Sequence, residues 1–334
     1  MRRYLLPRTG AFYKANLHCH SMISDGTLTP EELKARYRAQ GYSIIAYTDH
    51  DLFIPHHELT DETFLALAGY EVELNETRPA SPDRKTTHIC FVAGSPDMTI
   101  QPCWNEKYCT IGNSKNYIHL VQRDPAQMPF ERDHTPECVN AMMRAGRDAG
   151  FFVTYNHPTW SQEFFEDYSR YEGMHAMEIF NTECQNLGYE SYEPGIYDDL
   201  LRAGRRIFAV AADDNHNKRP GDSFGGFVMI KAEKLEYKTI TDAMFRGDFY
   251  ASQGPEIYDL YVEDGEICVT CSDAAHVSLN TGRRSAKIVH APDGGTVNEA
   301  RFTLREGDPF FRITVTDRFG KHANSRAYFP EEWT

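Results

Sequence analysis

Three times along this chain a helical segment closes on glycine, a short apolar strand follows, and the strand stops at histidine or aspartate. In the first, Thr29-Pro30-Glu31-Glu32 opens a helix that Gly41 ends. Thr29 suits the N-cap, Pro30 the first turn, and the acidic pair the positive end of the helix dipole. The strand over 42–47 then breaks at Thr48-Asp49-His50-Asp51. In the second, Thr135-Pro136-Glu137 opens a helix running to Gly150, and the strand over 151–155 ends at Asn156-His157-Pro158. In the third, a helix closes at Gly204 and the strand over 207–212 ends at Asp213-Asp214-Asn215-His216. Helices alternating with apolar strands predict a parallel sheet covered on both faces. Ligand-type residues just past each strand predict that the strand ends converge on one pocket.

The densest stretch is 16–51. His18 and His20 are two apart, so on an extended strand both imidazoles face one way. Asp25-Gly26 makes a turn that can bring a carboxylate back towards them. Further on, Glu71 and Glu73 share one face of a strand over 65–74, and His88 opens an apolar run over 87–94. The joint pattern of His18, His20, Asp25, Asp49 and His50 resembles the PHP (polymerase and histidinol phosphatase) metal-dependent phosphoesterases. Tyr70-Glu71-Val72, Asn156-His157-Pro158 and Asp214-Asn215-His216 stand where that family places a bridging glutamate, a His-Pro motif and an Asp-x-His motif. The likeness covers most of residues 16–254.

That resemblance implies an α/β fold, a distorted (β/α)7 barrel of the PHP type, over 1–254. It also implies two or three divalent ions, Zn, Mn or Fe, and a partition of ligands. His18, His20, Glu71 and Asp214 would hold one ion. Glu71, as a bridge, with His88 and His157 would hold a second, and Asp25, His50 and His216 a third. From the residues alone Glu73 could replace Glu71, and Asp213 could replace Asp214. Asp49 and Asp51 are expected to orient imidazoles as acceptors, because metal-bound histidines commonly donate their second nitrogen to a carboxylate.

Residues 95–134 break the rhythm and read as an insertion over the barrel mouth, either a lid or a surface excursion. From about residue 255 short alternating stretches separated by turn signals predict a small β-sandwich domain over 255–334. Eight cysteines are scattered, and Cys268 and Cys271 form a C-x-x-C with no second pair nearby. That spacing on a strand favours reduced thiols over a zinc site.

The chain has 334 residues, 41% hydrophobic and 13% aromatic, enough for a large core. No apolar run approaches the length of a membrane span and the basic N-terminus lacks a signal-type apolar stretch, so a cytoplasmic location without membrane partners is expected. A formal charge of −14 argues against duplex nucleic acid as a partner and leaves a small phosphorylated substrate. Metal clusters of this kind suit phosphate-ester hydrolysis, with a hydroxide bridging the ions attacking phosphorus in line. Arg219 is the first candidate to hold the phosphate, with Lys115, Arg123 and Arg132 of the insertion behind it. The same metals could instead cleave C–N or C–O bonds, as amidohydrolases do, or serve a non-catalytic binding protein. Oligomeric state is not legible in the sequence.

Overall fold

The computed structural model describes residues 2–77 and 84–333. Its strands are β1 (Arg3–Tyr4), β2 (Ala11–Asn16), β3 (Ile44–Tyr47), β4 (Leu65–Asn75), β5 (Thr86–Ala93), β6 (Phe151–Tyr155), β7 (Ala176–Asn181), β8 (Phe208–Ala212), β9 (Phe227–Ala232), β10 (Phe249–Ser252), β11 (Ile257–Glu263), β12 (Glu266–Ala274), β13 (His276–Thr281), β14 (Lys287–His290), β15 (Val297–Thr303), β16 (Phe311–Thr316) and β17 (His322–Ser325). The helices are α1 (Pro30–Arg38), α2 (Pro136–Asp148), α3 (Phe165–Tyr168), α4 (Thr182–Leu187), α5 (Pro194–Arg202), α6 (Tyr237–Arg246) and α7 (Pro330–Trp333).

The helix starts follow their caps. Thr29 Oγ1 accepts from Glu32 N at 3.2 Å while Thr29 N donates to Glu32 Oε2 at 2.9 Å, a reciprocal capping box for α1. Thr135 accepts from Cys138 N at the start of α2, with Pro136 behind it.

One large sheet runs β14-β13-β16-β17-β10-β9-β2-β3-β4-β5-β6-β7-β8. It is mixed, which corrects the expectation of a parallel sheet. β2-β3-β4 and β6-β7-β8 are parallel, but β5 is antiparallel to both β4 and β6, and β9 is antiparallel to β2. The sheet is also not a closed (β/α)7 barrel. β8 packs beside β9 and β10, yet among the described residues no ladder pairs them.

Only residues 65–68 of β4 pair with β3; the rest of that strand overhangs and pairs with β5, and Glu71 also bridges to His50 in the loop past β3. The overhang carries Glu71, which lies within a strand, as His88 does, and not past its end. Beyond residue 254, β11, β12 and β15 join β1 in a four-stranded sheet. Its inner residues, among them Leu260, Ile267, Val269 and Phe302, share one buried cluster with Val277, Ile313 and Val315 of the large sheet. The large sheet itself crosses residue 254, because β10 pairs with β17. Cys268 and Cys271 lie three apart on β12, and Cys271, not Cys268, belongs to the cluster between the sheets. Among the described residues no helix is long and apolar enough to cross a membrane.

Candidate metal centre

The nine candidate ligands meet in one cluster: seven of them line a cleft of about 320 Å³, and His18 and His20 lie against Glu71 and Asp214 of that lining. Glu71 stands at its centre. Its carboxylate lies 3.2 Å from His18 Nε2, 3.4 Å from His20 Nε2, 3.3 Å from His50 Nδ1, 3.1 Å from His88 Nδ1 and 3.5 Å from His157 Nε2. Glu73, on the same strand face, reaches only His88, at 3.7 Å, from the cleft rim. Asp214 lies 3.2 Å from His18 Nε2 and 3.1 Å from His20 Nε2. Asp213 points away into the core, where it accepts from Tyr37, Thr182 and the backbone of Phe224, Gly225 and Gly226.

Four groups have ligand atoms within 4.8 Å of one another: His18, His20, Glu71 and Asp214; Glu71, His88 and His157; His20, Asp25, His50 and His216; and His18, His157 and Glu178. The spacing fits a cation. An ion with bonds of roughly 2.1 Å holds its ligands roughly 3.0–3.4 Å apart. In the first group His18 Nε2 and His20 Nε2 are 3.1 Å apart, and the contacts to Glu71 and Asp214 span 3.1–3.4 Å. Around Asp25 the contacts are wider: 3.2 Å to His216, 3.7 Å to His50 and 3.8 Å to His20. Among the described residues, buried ring nitrogens lack hydrogen-bond partners at His20 Nδ1, His50 Nδ1 and His88 Nε2, which suits cation ligands better than a finished hydrogen-bond network.

The electrostatics agree. Burial pushes Glu71 up, but the charges on His18 and His88 hold it well below the usual carboxylate range. Burial pulls His20 down, yet hydrogen bonds to Asp214 and Glu71 raise it to about 10. His50 goes the other way, down to about 3, through burial and the neighbouring His20 charge. These buried carboxylates therefore require positive charge beside them, which protons supply here and divalent ions would replace.

Local structure aims these groups. The turn 21–26 folds back over His20, and a Cβ on Gly26 would run into the His20 carbonyl, so glycine is required there. Asp49 accepts from Ser21 N, Ser21 Oγ, Ser24 N and Ser24 Oγ at 2.6–3.1 Å. It thus fixes the turn that carries Asp25 and orients no imidazole, contrary to the sequence expectation. Asp51 likewise binds no histidine: its carboxylate pairs with the guanidinium of Arg132. Arg132 is buried in that contact and is not free for phosphate. Arg219 is exposed at the cleft mouth beside Lys218, whose Nζ lies 2.8 Å from Asp25.

Sequence reasoning missed Glu178. This buried carboxylate on β7 lies 2.7 Å from His18 Nδ1 and accepts from His157 N at 3.2 Å. Its signal was one charged residue inside the apolar run Ala176–Asn181. Asn156 and Asn181 were also missed; they donate to Glu71 at 2.8 Å and Asp214 at 3.3 Å. Outer partners of this kind set imidazole orientation and basicity. Glu178→Gln is expected to weaken metal binding about 10–100-fold with the fold intact. Metal titration of the stripped protein checks it, and unchanged affinity would remove Glu178 from this role.

No family model matches the chain. A 5'-3' exoribonuclease of Haemophilus influenzae is 55% identical over 38 residues, 11% of this chain and 14% of that protein. The chain thus matches well under two thirds of the length of that curated relative. A two-domain protein from Bacteroides vulgatus ATCC 8482, containing a predicted PHP-like metal-dependent phosphoesterase, superposes with a TM-score of 0.45 at 13% identity, covering 95% of each chain. Endonuclease Q, solved with a 27-mer duplex carrying an abasic lesion at the active site, superposes with a TM-score of 0.40 at 11% identity, covering 70% of this chain and 56% of its own. That complex corrects the expectation of no duplex nucleic acid. Charge summed over a chain does not describe the field in a cleft, where cations, when bound, would offset carboxylates and where Lys218 and Arg219 stand at the mouth.

Proposed function

We propose that this chain is a hydrolase of the PHP family that uses two or three divalent ions, Zn, Mn or Fe, to cleave a phosphate ester. The observation that carries this reading is five imidazoles closing on the Glu71 carboxylate, with Asp214 against three of them. Such ions, when bound, lower the pKa of a water and neutralise charge on phosphoryl oxygens. Glu178 holds His18 with Nε2 directed inward, and Asn156 and Asn181 fix the two central carboxylates. Arg219 at the mouth offers a planar cation to a phosphate, and Trp160, edge-on to His88 and His157, walls one side. Asp49 and Asp51 support the ligand loops and do not touch substrate. Strands β11 to β17 form the accessory unit beyond residue 254.

The test begins with metal content of the purified protein. p-Nitrophenyl phosphate, its diester, nucleotides, a DNA duplex and an amide series are then assayed before and after chelation. Phosphate-ester turnover is expected, lost on chelation and lost in His50→Ala with its circular dichroism preserved. Turnover of amides alone would move the chemistry to carbonyl carbon, and a protein that takes up no metal would sink the reading.

A further inference from the structure

We propose that the insertion at 95–134 sets the affinity of one ion position, the one bounded by His20, Asp25, His50 and His216, and that Arg132 is its main positioning residue. This rests on the hydrolase reading above and adds how one part of its metal centre is assembled.

The ion positions are supported differently. Around His18, Glu71, His157 and Asp214 most outer partners come from the sheet or its strand ends, Glu178 from β7, Asn181 from its end and Asn156 from the end of β6, with Ser161 of the loop after β6 at 3.4 Å from His157 Nδ1. Asp25 sits on the 21–26 turn and His50 just past β3, outside any named strand as His18, His157 and Asp214 are, and His50 bridges to Glu71 of β4. Two of the Asp25 contacts are wide, 3.7 Å to His50 and 3.8 Å to His20. Beyond that bridge and the Asp49 contacts to the 21–26 turn, the insertion supplies the remaining hold on these two loops.

The insertion grips the backbone beside both. On the His50 side, Ser114 Oγ donates to His50 O at 3.3 Å. The Gln101 amide accepts from Phe53 N at 2.8 Å and donates to Asp51 O at 3.0 Å. On the Asp25 side, Asn113 N donates to Ser24 O at 2.6 Å, and its side chain donates to Met22 O at 2.9 Å. Gly112 has φ +53° and packs so close that a Cβ would run into the Ser24 carbonyl.

Arg132 ties the arrangement together. Its guanidinium, 2% exposed, pairs with Asp51 and donates through Nη1 to Glu73 O at 3.1 Å. It lies 4.3 Å over the Tyr108 ring, and Arg132 N donates to Tyr108 OH at 2.8 Å. Asp51 adopts φ +60°, a left-handed conformation that a non-glycine residue keeps only when its surroundings enforce it. Asp51 N donates to Glu71 O at 2.7 Å, so Arg132 spans the His50 loop and the overhang of β4 that carries Glu71. Two planar donors aimed at different acceptors are a task for arginine that lysine, a point charge, cannot repeat. An element locked by this many buried contacts is a buttress and not a lid.

The test is a Mn²⁺ and a Zn²⁺ titration of the chelator-stripped full chain by calorimetry, with thermal melting of the same metal-free samples. Wild type, Arg132→Lys, Arg132→Met and Gly112→Ala are compared. Wild type is expected to bind in more than one affinity class. All three variants should weaken the weakest class about 10–100-fold and leave the tighter class unchanged. Arg132→Met strands a buried aspartate and could fail to fold. Gly112→Ala strands no buried charge and displaces only the surface loop from the Ser24 carbonyl, and Arg132→Lys keeps the charge, so these two decide between the outcomes. Equal weakening of every class, or no change in any, overturns the proposal. Wild type that takes up no metal overturns the hydrolase reading with it, and that outcome is seen before any variant is compared.

Discussion

Glu71→Gln is expected to cut kcat/KM by about 10³-fold or more and to strip the protein of more than one ion. The magnitude follows from charge. A carboxylate about 4 Å from a cation at an effective dielectric near 20 interacts by about 4 kcal/mol, or about three powers of ten in a rate or binding constant. Glutamine keeps the shape and loses the charge. Its amide nitrogen also meets a donor, because Asn156 Nδ2 already points at Oε1 from 2.8 Å. More than one ion should go, since both Glu71 oxygens are engaged: Oε1 faces His18, His88 and His157, while Oε2 faces His20 and His50. Glu73→Gln is the matched control, because Glu73 reaches only His88 from the rim, and its effect should be far smaller. Kinetics and metal content of the two variants decide the matter. Similar losses in both, or near-normal turnover in Glu71→Gln, would mean that Glu71 does not organise the centre.

Sequence alone left Glu71 and Glu73 open because period-two alternation puts both on one face and says nothing of depth. Depth came from the overhang: β3 stops pairing at Ala68, so Glu71 falls at the level of the loop ends while Glu73 lies farther out. Asp213 and Asp214 were separated by backbone conformation, since Asp214 takes φ +54° and its neighbour turns inward to Tyr37. The residues past β2, β3, β6 and β8 were legible because an apolar run that stops on His or Asp is a local signal.

What was not local was not legible. Strand direction is not written in an apolar pattern, so the antiparallel β4-β5-β6 segment was read as part of a parallel sheet. The pairing of β10 with β17 joins residues some seventy apart, and no periodicity announces it. Asp49 and Asp51 looked like imidazole acceptors from their position beside His50. Their actual partners, two serines of the 21–26 turn and an arginine of the insertion, are distant in sequence.

Arg312→Met is expected to destabilise the protein by roughly 3–5 kcal/mol, the usual cost of stranding one partner of a buried ion pair. Arg312 stands on β16 with its side chain 4% exposed. Nε and Nη2 donate to the two oxygens of Asp198, on α5, at 2.7 and 3.0 Å, and Nη1 donates to Thr314 at 2.8 Å. The fork therefore links the strands beyond residue 254 to a helix of the half that carries the candidate metal centre. Asp198 is 15% exposed, so water can reach it once the arginine is gone, which favours the lower end of that range. The double variant Arg312→Met with Asp198→Leu should recover much of the loss, because removing both charges leaves neither one buried alone. Urea unfolding of the two single variants and the double variant closes the cycle. Additive losses would mean that the two side chains act independently. A drop in Arg312→Met confined to a separate early transition would mean that the C-terminal strands unfold on their own, and the pair would then be a tether between two units instead of part of one cooperative core.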